Sequence, residues 1–327
     1  MQAYTPGYHS FKLYLAFALF VALFVRNIDV ERDRVRRSLT NDREHGMAEI
    51  ATVDSHHQLP SFKYSFPKNE ADQKQPLAQG VLEPYVSVQL GRHLKSCCNS
   101  DEDGVHHVVD VGGNFGWFTL MGAASNCNVD TFEPVPWFNR LLRKNVESNE
   151  FEDKVVVHDV IVSNKPGELS MSVPDTSHAL MGAAGVHGLN VNNKNYQDIL
   201  RPALALDDMT WPENLGRSCA MKVDVEGWEP YVFLGAVSLF ERRIPEVLII
   251  ELSPGMTIKE DPSLQSIYKM LASFKMMGYT PHLLEWGTIK SPSEDVWNTP
   301  LAEFEVDWDS KKIVEKCGFN CMLYMTA

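Results

Sequence analysis

An α/β fold with a mostly parallel sheet and helices on both faces is predicted by three features of this 327-residue chain. Short β-branched runs alternate with amphipathic segments from about residue 105 onward, the pattern of strand–helix–strand crossovers. One such run, His107-Val-Val-Asp110-Val, ends in an acid and opens into the small-residue loop Gly112-Gly113-Asn114-Phe-Gly116, which leads into an apolar helix. A backbone loop that can approach a ligand closely, followed by a helix N-terminus, is how open α/β sheets hold nucleotide-like cofactors. The next apolar run ends in Glu133, and an acid there can accept both hydroxyls of a ribose. The chain is therefore expected to bind an adenosine-bearing cofactor.

The elements follow in order. Residues 80–94 carry helical apolar spacing and precede the first strand, 108–111. Phe115, Phe118, Leu120 and Met121 mark its helix. The second strand is 129–132, and the helix after Pro134-Val-Pro136 starts where proline is well tolerated. The third strand, 155–157, continues into 160–162, and 169–173 reads as an added hairpin strand. The fourth and fifth strands are 220–225 and 247–252, with a helix over 264–274. The last strands fall near 279–284 and 319–325. The stretch 174–202, rich in Gly, Asn and His, reads as a long irregular loop, and such loops are usually functional.

Composition bounds the partners. The net charge is −13, and no long Lys/Arg run follows the N-terminal segment, which argues against a nucleic-acid partner. Six cysteines show no zinc spacing; Cys97 and Cys98 are adjacent and cannot easily pair with each other, and Cys317 and Cys321 read as buried thiols. Residues 13–25 are uninterrupted apolar and, with residues 8–12, approach the length of a bilayer span, Lys12 snorkelling to one face. No small-residue cleavage site follows. The expected organisation is a membrane anchor or signal segment over 1–27, the anchor favoured, a polar, poorly ordered linker or stalk over 28–79 and a catalytic domain over 80–327. Expected localisation is the membrane, by a single N-terminal anchor; an endomembrane or Golgi setting is compatible. Sidedness stays open, because Arg26, Arg32, Arg34, Arg36 and Arg37 flank the C-terminal side of the run.

A second constellation closes the fourth strand: Lys222-Val-Asp224-Val-Glu226-Gly227-Trp228-Glu229. Alternation places Lys222, Asp224 and Glu226 on one face, at the carboxyl edge where open α/β sheets carry chemistry. Glu229, in the first turn of the next helix, is expected to complement the helix dipole.

A dinucleotide fingerprint needs glycine where this loop has Asn114 and Trp117, which makes a nicotinamide oxidoreductase a distant reading. The spacing D-x-G-x-N-x-G instead looks like the loop of class I S-adenosylmethionine (SAM) methyltransferases. The segments VVDVGGNFGWFTL, TFEPVP, VVVHDVIVSNKPGELSMSV, LALDDM, MKVDVEGWEPYVFLGA and VLIIELSP, in that order across about residues 105–255, resemble the FkbM family of SAM-dependent methyltransferases. The family usually has Ala at Gly113, a departure expected to be harmless. The resemblance implies a Rossmann-like class I methyltransferase fold: a seven-stranded, mostly parallel sheet, helices on both faces, the last strand antiparallel. It implies SAM as cofactor and, most often, O-methylation of a hydroxyl on a sugar, glycan or small metabolite. Asp110, Gly112, Gly113, Asn114 and Gly116 would then line the methionine end of SAM, Glu133 would hold the ribose, and Asp159 would contact the adenine amino group.

Alignment of the reactants can supply up to roughly 7–11 kcal/mol of such a reaction, and a general base adds about 10²–10⁴ in rate. Asp224, Glu226 and Glu251 are the expected catalytic carboxylates, with His178 and His187 as further candidate bases. The same carboxylates could converge on a hard cation, although no metal site is assigned. Methyltransferases of amino groups and bases use [DN]-P-P-[YFW] after the fourth strand; Val225-Glu226-Gly227 stands there instead. Two other readings stay open from sequence: a catalytically inactive SAM-binding interaction domain on a membrane, and an aminopropyl-type transferase on the same fold.

Overall fold

Two strands pack antiparallel at the start of the described chain, β1 (Ile50–Asp54) and β2 (Lys63–Pro67). This hairpin falls inside the expected linker and corrects that expectation. Phe62, Tyr64 and Phe66 alternate, the period of a strand, and all three are buried, with Tyr64 and Phe62 edge-on to Trp117. Asn145 clamps the hairpin through both backbone groups of Ser65, at 2.9 Å each. The structure is a computed structural model and describes residues 49–68, 79–100, 105–174, 184–189, 196–211, 215–284 and 294–327.

The central sheet is built from β3 (Val105–Val111), β4 (Asn128–Phe132), β5 (Val155–His158), β10 (Leu215–Val223), β11 (Val247–Leu252), β12 (Thr280–Leu284) and β13 (Cys321–Thr326). Its order is β12-β13-β11-β10-β3-β4-β5, with β13 antiparallel to both neighbours and every other pair parallel. This is the seven-stranded sheet with an antiparallel last strand that the family resemblance implies. Strand order reverses between β3 and β10, and that switch point is where ligands bind in open sheets. The helices α1 (Pro84–Cys97), α2 (Trp117–Ala124) and α3 (Pro136–Ser148) belong to the first half. The helices α4 (Glu229–Leu234), α5 (Val237–Arg242), α6 (Pro254–Thr257), α7 (Gln265–Met276), α8 (Glu294–Asn298) and α9 (Ser310–Cys317) belong to the second. Two apolar clusters, one on each face, sandwich the sheet: Leu90, Phe115, Leu120 and Ile249 lie in one, and Val109, Leu248, Leu271 and Phe274 in the other.

A four-stranded sheet of order β6-β9-β7-β8 stands apart, from β6 (Ile161–Val162), β7 (Gly167–Pro174), β8 (Gly185–Val186) and β9 (Tyr196–Leu204). The segment 174–202, expected to be irregular, therefore ends in a regular strand, paired with β7 from Gly167↔Ala203 to Pro174↔Tyr196. Its exposed residues, Gln197, Asp198, Leu200 and Pro202, mix polar and apolar and do not follow a period of two, so the alternation that marks a half-buried strand is weak in the sequence.

All six cysteines are paired, which corrects the reading of Cys317 and Cys321 as thiols. Cys97 and Cys98, at the end of α1, bond to Cys219 of β10 and Cys127 ahead of β4. Neighbours in sequence thus tie one helix end to two different parts of the sheet.

The membrane placement expected from the sequence is also corrected. A span needs about 20 apolar residues, and no helix among the described residues is long and apolar enough to cross a membrane. The apolar run 13–25 that prompted the expectation lies outside the described residues.

Candidate active site

The loop after β3 owes its shape to alternation of conformation. Gly112, Asn114 and Gly116 have φ of 89°, 49° and 96°. Only glycine, and to a lesser degree asparagine, adopts this left-handed region without strain. The spacing G-x-N-x-G is thus the chemical record of a backbone that turns left-handed at every second residue. At Gly112 a Cβ would lie 1.9 Å from the carbonyl oxygen of Asp224, so the loops after β3 and β10 touch backbone to backbone.

At Gly113 a Cβ would meet Thr131 Oγ1 at 2.3 Å. The glycine in place of the family's usual alanine therefore answers to a neighbour in this chain. Gly113→Ala should lower stability by about 1–3 kcal/mol through overpacking. Leu142 Cδ1 would also stand 2.9 Å away, so adding Thr131→Ala should recover part of that loss in a denaturant-unfolding double-mutant cycle; purely additive losses would refute the clash with Thr131.

Glu133 sits at the end of β4 and is 4% exposed. Its Oε2 accepts from the backbone N–H of Asn114 and its Oε1 from that of Val135, both at 2.8 Å. Burial pushes its carboxyl up to about 8, against the pull of those two N–H donors. Two lone-pair sites per oxygen leave acceptor capacity for further donors. Asp110, the last acid of β3, is 1% exposed. Thr119 donates to its Oδ2 at 2.6 Å, and its Oδ1 is buried without a partner.

The second constellation surrounds Lys222. Its Nζ lies 2.7 Å from Asp224 Oδ2 and 4.7 Å from the centre of the Phe118 ring. Burial pulls this ammonium down, but the charges of Asp224, Glu83 and Asp110 outweigh burial and hold it above its ordinary value. Glu83, at the N-terminus of α1, is a site residue the sequence reading missed. Its φ is 44°, its side chain does not cap its own helix, and its Oε2 is buried without a partner. Burial pushes it up to about 7, against Lys222. The signal in sequence was an acid immediately ahead of the proline that starts α1; nothing local says that it meets β10.

Asp224, Glu226 and Glu251 do converge: each offers an oxygen within 4.8 Å of the others. Glu226 (φ 57°) and Gly227 (φ 97°) form the turn that brings the first two off β10, while Glu251 stands on β11 and accepts from Asn320 Nδ2 at 2.9 Å. Burial first, then the charges of Asp224 and Glu226, raise Glu251 well above the usual carboxylate range. Glu229 accepts from the backbone N–H of Gly227 at 2.9 Å and of Val225 at 3.3 Å, tying down that turn.

Of the remaining candidates, Asp159 lies close enough to Glu133 for its charge to act on that carboxyl, while the others pair elsewhere or fall outside the described residues. Asp159 follows β5, and its carboxylate pairs with Arg201. His187 Nδ1 faces Glu260 at 3.3 Å and its ring is edge-on to Trp228. His178 lies outside the described residues. His158 stacks on Phe132 and, with His107, bonds Asp130.

The residues present fit a nucleoside-bearing cofactor with a cationic end. Glu133 offers acceptors at a strand end, and two buried oxygens near Lys222, Glu83 Oε2 and Asp110 Oδ1, lack a donor. Sheet order and site position define a class I methyltransferase fold. The profile of the Methyltransferase FkbM domain matches residues 110–281, more than half of the chain, and the chain belongs to this family. No curated protein matches the sequence. Among solved structures it is similar to an O-methyltransferase from Bacillus cereus in complex with SAH (14% identity, TM-score 0.37, 79% of this chain and 87% of that one). It is also similar to a SAM-dependent methyltransferase from Agrobacterium tumefaciens (11%, 0.39, 86% and 71%) and to the human methyltransferase 10 domain containing protein (10%, 0.37, 76% and 83%).

Proposed function

We propose that the chain binds S-adenosylmethionine between the 110–116 loop and Glu133 and methylates a hydroxyl group on a sugar, glycan or small metabolite. The observation that carries the hydroxyl acceptor is the convergence of Asp224, Glu226 and Glu251 within 4.8 Å beside the glycine loop. An aliphatic hydroxyl is a poor acid, so its methylation gains most from a positioned proton acceptor. Asp110, Gly112, Gly113, Asn114 and Gly116 hold the amino-acid end of the cofactor, Glu133 takes the ribose hydroxyls, and Asp159 stands on the adenine side. When bound, the cofactor supplies an electrophilic methyl group on a sulfonium. Asp224, fixed by Lys222 at 2.7 Å, accepts the hydroxyl proton. Burial and the acidic neighbours push the Glu251 carboxyl well above the usual carboxylate range, which favours its role as a hydrogen-bonding partner within the group.

Glu133 gives the site a pH signature. Ribose hydroxyls donate to the ionised carboxylate, whereas burial keeps the free carboxyl protonated up to about pH 8. Below that value binding must first release a proton, so affinity should rise with pH from about 6 to 8 and level off above it. Calorimetry with 5′-methylthioadenosine, which carries the ribose but no amino-acid end, checks this; an affinity independent of pH would contradict it.

Transfer of labelled methyl from SAM into glycans, lipids and small metabolites, compared between cells with and without the gene, tests the reaction. Gene-dependent label in alkali-stable methyl ethers is the expected result. Label only in esters or amines, or cofactor binding with no transfer to any fraction, would refute it.

A further inference from the structure

Around Lys222 the buried charges do not balance. Three carboxylates, Glu83, Asp110 and Asp224, act on one ammonium, and the only hydrogen bond the ammonium makes to them is to Asp224 at 2.7 Å. Glu83 Oε2 and Asp110 Oδ1 are both buried with no donor, and Asp110 is only 1% exposed. A buried acceptor left without a donor is unfavourable, more so when it is charged. Glu83 is also held in a left-handed conformation that non-glycine residues avoid, with no helix-capping bond in return. Unrelieved strain and unmet acceptors at one spot mark a place completed by a ligand.

The ligand must bring positive charge and more than one N–H donor. A sulfonium has charge but no donor, so it cannot satisfy the two oxygens. A primary ammonium has three donors in a compact group. We propose that Glu83, with Asp110, receives the α-ammonium of the cofactor's methionine portion, making the start of α1 part of the cofactor site. This rests on the reading of the cofactor as S-adenosylmethionine. Glu83 would set how strongly the protein prefers the complete cofactor and its demethylated product over fragments that lack the amine.

Calorimetry on the full chain with three probes tests it: S-adenosylhomocysteine, its deamino analogue, and 5′-methylthioadenosine. The unaltered protein should bind S-adenosylhomocysteine roughly 10- to 100-fold more tightly than the deamino analogue, the size of a charge-assisted hydrogen bond. Glu83→Gln should lose most of that preference and bind 5′-methylthioadenosine as before. A Glu83→Gln protein that keeps the full preference, or one that loses affinity for all three probes alike, overturns the inference. So does an unaltered protein that does not distinguish the first two probes, a comparison that needs no variant to fold. Failure of the unaltered protein to bind any probe overturns the cofactor reading itself, and this inference with it.

Discussion

Replacing Asp224 by Asn should reduce methyl transfer by about 10²–10⁴ while leaving the fold and cofactor affinity largely intact. The substitution keeps shape and hydrogen-bonding capacity but removes the proton-accepting charge. An Asn amide oxygen can still accept from Lys222 at the position now held by Asp224 at 2.7 Å, and the charges of Glu83 and Asp110 still act on the ammonium, so it is not stranded. A kcat that falls while KM for the cofactor stays constant would locate the loss in the chemical step. Unchanged turnover would remove Asp224 from the reaction.

Lys222→Met should be the most damaging single change to stability in this region. Lys222 is 4% exposed and is the counter-charge of three carboxylates. Removing one partner of a buried ionic group typically costs about 3–5 kcal/mol, because the remaining charges stay buried without compensation. The pH dependence follows in sign. Glu83 and Asp110 already lie above their ordinary values through burial, and without Lys222 they rise further. A carboxyl raised by folding binds its proton more tightly in the folded state, so its penalty grows with pH above the unfolded value and vanishes below it. The loss should therefore be largest near pH 8 and shrink toward pH 5. Denaturant unfolding at the two values measures it; a pH-independent loss would show that Lys222 acts by packing alone.

What the sequence made legible was chemistry carried by local pattern. The strand–loop–helix around Asp110, Gly112, Asn114 and Gly116 is written in residues that only a left-handed turn selects. The carboxylates Asp224 and Glu226 were readable as acids at a strand end, although β10 stops at Val223 and a left-handed turn at Glu226, not strand alternation, carries them; Glu251 was readable from a neighbouring strand end. What stayed hidden depended on long-range contact. The hairpin over residues 50–67 is short and lies in polar sequence, although Phe62, Tyr64 and Phe66 carried the strand period. Strand β9 lacks a clean polar–apolar alternation, so its pairing with β7, rather than its composition, makes it a strand. Cys97 and Cys98 are neighbours whose partners lie far away in sequence, at Cys219 and Cys127, and spacing rules cannot supply such pairs. Glu83 belongs to the same class: its approach to Lys222 exists only once α1 has crossed the sheet.

Equilibrium dialysis of the purified protein against radiolabelled S-adenosylmethionine tests the central claim most directly. The account predicts saturable binding at one site per chain, displaced by unlabelled S-adenosylhomocysteine and lost in Glu133→Ala. Absence of saturable binding, or full affinity retained in Glu133→Ala, would contradict it.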